Sequence, residues 1–156
     1  RIKWYLQLMK NKCLVGLLFA FFFLSCSVKE DYARIVVSNL REEGVNVDSY
    51  THIAIIPEEG CGGCISEAEH FFCENVESDI FFVFTKIRSR KELVLRLGKL
   101  LERENVLLDI EQRYVAKKEE MNIYPILIDI RTDDEYTWLF LEPGMSYERI
   151  LEQFEK

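Results

Sequence analysis

The sequence predicts an α/β fold: a mixed sheet of four or five strands with helices on both faces. Three observations lead there. Short β-branched runs alternate with segments of helical periodicity, the pattern of a parallel sheet covered on both sides. The run Asp79 to Ile87 is apolar almost throughout, as expected of a strand buried on both faces. Two late strands are separated only by a short polar turn, which adds an antiparallel edge.

Taken in order, Asp31 to Glu43 places Ile35, Val36 and Leu40 at helical spacing, and Gly44 supplies a C-cap. Thr51 to Pro57 reads as a strand, and Glu58-Glu59-Gly60 as a solvated turn. Cys61-Gly62-Gly63-Cys64 follows, then a helix from Ile65 to Val76 with Ile65, Ala68, Phe71, Phe72 and Val76 on or near one face. After the strand Asp79 to Ile87, Ser89 and Glu92 have capping-box spacing, opening a helix from Arg90 to Glu104 with a stripe of Leu93, Leu97, Leu100 and Leu101. Val106 to Leu108 is a short strand, Gln112 to Glu120 a helix, and Pro125 to Ile130 a strand. Arg131 to Glu135 turns into the strand Tyr136 to Leu141. Ser146 then caps a last helix ending at Phe154, with Tyr147, Ile150, Leu151 and Phe154 inward.

The first 26 residues read as an address. Lys10 and Lys12 precede an apolar run from Cys13 to Leu24. That run is short of the roughly 20 residues a membrane span needs and fits a signal-peptide core. Met9 is the expected initiator. Phe23-Leu24-Ser25-Cys26 resembles the lipobox of bacterial lipoproteins, although Phe23 stands where Leu is usual. The resemblance implies cleavage before Cys26 and lipidation of its sulfur, with Ser27 to Asp31 as a polar tether. An ordinary cleaved signal and an uncleaved anchor are the other readings. The expected organisation is a signal over 1–26, a tether and N-terminal helix over 27–49, and the α/β domain over 50–156. Lys29-Glu30-Asp31 lies where a sorting signal would act. Export would place the chain where disulfides persist.

The chain of 156 residues carries a formal charge of −7, and beyond the first 25 residues holds 16 basic against 27 acidic residues. This balance argues against nucleic acid and against electrostatic attachment to anionic lipid. No calcium loop stands out in the acidic residues.

Cys61-x-x-Cys64 at a strand-to-helix junction carries the chemistry. The spacing lets one disulfide join the two sulfurs. A sulfur at a helix N-terminus is favoured as thiolate by unpaired N–H groups and the helix dipole. Cys61 is therefore the expected nucleophile and Cys64 the resolving thiol, with Gly62 and Gly63, expected to contact substrate, letting the loop close without side-chain obstruction and freeing its backbone. Metal sites use the same spacing. His52, His70 and Cys73 are poorly placed to complete a zinc site, while two-thiolate copper(I) binding stays open. So do docking of a partner protein without turnover and a plain stabilising disulfide. His52 and His70 are expected as surface or satisfied residues, Cys73 as a small core residue or quiet thiol, and Phe81, Phe82 and Phe84 as core.

The strand, CGGC and helix order, followed by Tyr124-Pro125 opening a strand 61 positions after Cys64, resembles the thioredoxin superfamily. The segment from Val106 to Asp109, with Tyr114, Ala116 and the run Ile123 to Asp129, is similar to its membrane-tethered periplasmic branch, the TlpA and ResA type. The resemblance covers about residues 50 to 156. It implies a thioredoxin-like sheet and a cis Tyr124–Pro125 peptide facing the thiols to receive substrate backbone. It also implies thiol–disulfide oxidoreductase activity with no cofactor beyond the Cys61–Cys64 disulfide. Protein thiols and disulfides of the cell envelope, and a membrane redox partner, are the implied partners. Gly60 and Gly63 depart from the family's usual Trp and Pro, and Ile55 stands where the family places a buried acid; direction of electron flow is left open. Glu58 and Glu59 are expected to be solvated, or else to act as proton acceptors near the thiols or to raise the thiol pKa by like-charge repulsion.

Overall fold

The computed structural model describes residues 32–132 and 136–155, without the side chains of Glu119 and Glu120. The signal segment, Cys26 and the tether from Ser27 to Asp31 lie outside the described residues. Nine regular elements follow: α1 (Tyr32–Glu42), β1 (His52–Pro57), α2 (Gly62–Asn75), β2 (Ile80–Thr85), α3 (Arg90–Leu97), β3 (Val106–Leu108), β4 (Ile126–Asp129), β5 (Thr137–Phe140) and α4 (Tyr147–Phe154). No described helix is long and apolar enough to cross a membrane.

The strands form one mixed sheet in the order β3-β2-β1-β4-β5. β1 pairs parallel with β2, and β2 with β3; β4 runs antiparallel to β1 and to β5. This is the thioredoxin-like α/β arrangement. Every residue of β1 and β2 is buried, as their unbroken apolar runs require. Alternation along the strands divides the core. Ala54, Ile56, Phe82 and Phe84 face Phe71 and Phe72 of α2, Leu93 of α3 and Ile150 of α4. Ile53, Ile55, Phe81 and Val83 face Val36, Val37 and Leu40 of α1, with Tyr114. Helices thus cover both faces.

Several elements differ from the sequence expectation, each for a local reason. α2 starts at Gly62 rather than Ile65, so the two glycines form its first turn instead of a loop before it. α3 stops at Leu97 because Gly98 adopts φ 58, and a 3-10 stretch from Gly98 to Glu102 carries the chain onward. The helix expected over Gln112 to Glu120 does not form; only a 3-10 turn from Glu119 to Asn122 appears. Side chains satisfy this segment's backbone instead. Asp109 accepts from the amides of Arg113 and Tyr114, and the Asn122 amide brackets Ala116 by bonding both its N–H and its carbonyl. Tyr114 and Ala116 are buried two residues apart, a spacing that no helix presents on one face. Ser146 occupies the α4 N-cap position without a side-chain capping bond.

Candidate functional site

Parallel strands β1, β2 and β3 all end on one side of the sheet, and β4 begins there. Their loops place the cysteine motif. β1 runs out at Pro57, Glu58 anchors its exit by donating its N–H to the carbonyl of Thr85, and Glu59 and Gly60 turn the chain into α2. Cys61 is the N-cap of α2, in an extended conformation that turns its side chain back over the first helical amides. Its Sγ accepts from the N–H of Cys64 at 3.4 Å. Cys61 and Cys64 are joined as a disulfide, with Cα atoms 5.3 Å apart. Cys61 is half-buried, whereas Cys64 is 4% exposed. The pair is therefore asymmetric: one sulfur is reachable at the helix end and one is shielded beneath it.

The segment before β4 closes over the motif. Cys61 donates its N–H to the carbonyl of Ile123 at 2.9 Å. Gly60 makes this approach possible: it adopts φ +141, and a Cβ there would lie 2.2 Å from the Ile123 oxygen. A bulky residue before Cys61 is thus excluded by geometry. The Tyr124–Pro125 peptide is trans, correcting the cis expectation. Ile123 makes the contact with the motif, so no reversal at the proline is needed to bring the chain there. Pro125 is buried, needs no N–H at the head of β4, and accepts from Leu141 at 2.8 Å. Tyr124 is half-buried and edges onto Phe140.

Glu58 and Glu59 are not a solvated turn. The Glu58 side chain is only 10% exposed and pairs with Arg96 of α3 at 2.6 Å, while Arg96 also holds Glu69 of α2 at 2.7 Å. The other Glu58 oxygen, Oε1, is buried without a partner. Burial pushes the Glu58 carboxyl above its ordinary range and nearby Glu69 adds to the rise, against the opposing pull of Arg96. Glu59 is engaged by Arg88 at 2.5 Å and Lys86 at 4.0 Å. Lys86 in turn donates to the carbonyl of Asn122 at 3.4 Å. Arg96, Glu69, Lys86 and Arg88 were not singled out from the sequence. Arg96 and Glu58 are 38 positions apart, so no local spacing announces the pair.

The remaining candidates lie apart. Cys73 is free and exposed, not core; partial desolvation, with Glu69 and Glu74 nearby, raises its thiol pKa. His70 is exposed beside Glu74. His52 is buried at the opposite end of β1, not at the surface, with Nδ1 on Thr51 Oγ1 and Nε2 unpartnered. Among the described residues no group of three or more His, Cys, Asp or Glu could hold a metal. Chemically, the arrangement is a CXXC pair that can exist as a disulfide, one sulfur of which sits at a helix N-terminus. Neither a family model, nor a curated protein, nor a solved structure matches this chain.

Proposed function

We propose that the protein is a thiol–disulfide oxidoreductase of the cell envelope, exported and lipid-anchored through Cys26, with protein thiols or disulfides as its substrates. The observation that carries the reading is the hydrogen bond from the Cys64 amide to Cys61 Sγ at the first turn of α2. A backbone N–H aimed at a sulfur favours its thiolate once the disulfide is opened, and the helix dipole acts in the same direction. Cys61 is the more accessible sulfur, and Cys64 lies one helical turn behind it.

In the reducing direction, the Cys61 thiolate attacks a substrate disulfide, forms a mixed disulfide and releases one substrate thiolate. The Cys64 thiolate then attacks the Cys61 sulfur, reforms the internal disulfide and releases the second; two electrons pass to the substrate. The oxidising direction is the reverse.

The test combines quantitative alkylation with redox equilibration in glutathione buffers, read by mass spectrometry. Reversible opening, with Cys61 in the reduced protein alkylated at neutral pH faster than an unactivated thiol, is the expected result. A pair that stays oxidised against all glutathione ratios, with Cys61 no more reactive than Cys73 when forced open, would make the disulfide a structural staple and end the proposal.

A further inference from the structure

Within an acidic chain, the loop leaving β2 is basic. Lys86, Arg88, Arg90 and Lys91 fall within six residues that contain no acid. Two of the four are tied to the segments flanking Cys61. Lys86 and Arg88 hold Glu59, two residues before Cys61, and Lys86 also bonds Asn122, next to the Ile123 carbonyl that receives the Cys61 amide. The loop is thereby fixed beside the motif.

Two features of this loop run against stability. Lys86 adopts φ 53, a left-handed conformation that costs a side-chain-bearing residue about 1–2 kcal/mol. Arg90 and Lys91 occupy the first turn of α3, where the helix dipole disfavours cations. Both are exposed, and neither makes a hydrogen bond or ion pair among the described residues. Cations held at the wrong end of a helix, free of partners and directly following a loop fixed beside the cysteine motif, fit an external anion better than they fit the fold. Conformational strain kept next to a reactive group points the same way.

Building on the redox reading above, we propose that this loop is a docking surface for acidic polypeptide segments, selecting substrates whose cysteines are flanked by Asp or Glu. Carboxylates of the substrate meet Arg90 and Lys91 as its sulfur reaches Cys61. The attraction acts on encounter, so it raises the rate of mixed-disulfide formation and weakens with salt.

The full-length protein, reduced beforehand, is mixed in single turnover with two disulfide peptides that differ only in Asp or Lys beside the cysteines. Bis(2-hydroxyethyl) disulfide serves as an uncharged control. The expected result is exchange with the Asp peptide about tenfold faster at low ionic strength, with the preference collapsing in molar salt. The double variant Arg90→Glu/Lys91→Glu is expected to reverse it and leave the control rate unchanged. That variant places acids where the helix dipole favours them, so its folding is not at risk. Equal rates for both peptides, or a preference untouched by charge reversal, overturn the docking surface while normal turnover of the control leaves the redox reading standing. Failure of the control as well overturns both. Equal peptide rates together with Arg90-dependent binding to phosphatidylglycerol vesicles would give the patch to a lipid surface instead, and also overturn the proposal.

Discussion

The N–H of Cys61 and the carbonyl of Ile123 meet at 2.9 Å, and the same oxygen sits where a Cβ on Gly60 would have to go. The glycine before the motif is therefore structural, and those within it are not. Gly60→Ala is expected to destabilise the protein by about 1–3 kcal/mol, since φ +141 is accessible essentially only to glycine. Gly62→Ala and Gly63→Ala meet nothing within 4 Å and lie in the first turn of α2, so each is expected to be neutral or to stabilise by up to about 1 kcal/mol. Denaturant midpoints at constant m-value separate the two classes.

This contrast also shows what the sequence could disclose. The strands β1 and β2, the cysteine motif and the helix after it were legible because their signals are local: an apolar run, a spacing, a glycine. The Ser89 cap was legible for the same reason, and its hydroxyl does accept from the Glu92 amide. The segment from Gln112 to Asn122 was not. Its shape is set by Asp109 and Asn122 bonding backbone several residues away, and by Gln112 at φ 56, none of which leaves a periodic trace. The burial of Glu58 was hidden likewise, since its cation comes from α3.

Arg96 bridges the exit of β1 to α2. Arg96→Met is expected to cost about 1–3 kcal/mol by leaving the Glu58 carboxyl nearly buried without its cation, less any screening at the exposed guanidinium. Adding Glu58→Gln should recover part of the loss, which a double-mutant cycle measures. The sign with pH is also fixed. The folded Glu58 pKa is raised, so its favourable contribution is present below the unfolded value of 4.5 and is lost as pH rises through the folded value. Glu58→Gln should therefore gain on the parent as pH increases from 4 towards neutrality.

His52 makes the opposite prediction. Burial lowers its pKa, with Arg131 acting in the same direction and Asp129 and Asp79 opposing. Its neutral form is therefore favoured on folding: the stability it contributes is present above the unfolded value of 6.5 and is lost as pH falls through the folded value. The parent should weaken as pH falls below about 6.5, and His52→Gln should weaken less over the same range. Asp129 is pushed up by burial but held below its ordinary range by its bonds to Arg131, so it adds its own loss only at lower pH. Thermal midpoints at each pH distinguish the two.

Tyr147 is fully buried, stacked on Phe71 with ring centroids 4.1 Å apart, and its hydroxyl has no partner. Burial drives its pKa far upward. Tyr147→Phe keeps the stack and removes the orphaned hydroxyl. It is expected to stabilise by up to about 1–3 kcal/mol, the cost of burying a polar group unsatisfied. A lower midpoint for the variant would show that the hydroxyl contributes to the fold.

The sheet ends in a three-residue strand on one side and a four-residue strand on the other. Strands this brief give a neighbouring chain little to zip against, and short edges are one way sheet proteins avoid aggregating. Where the protein is concentrated, such blunted borders keep copies of the molecule separate even when they collide.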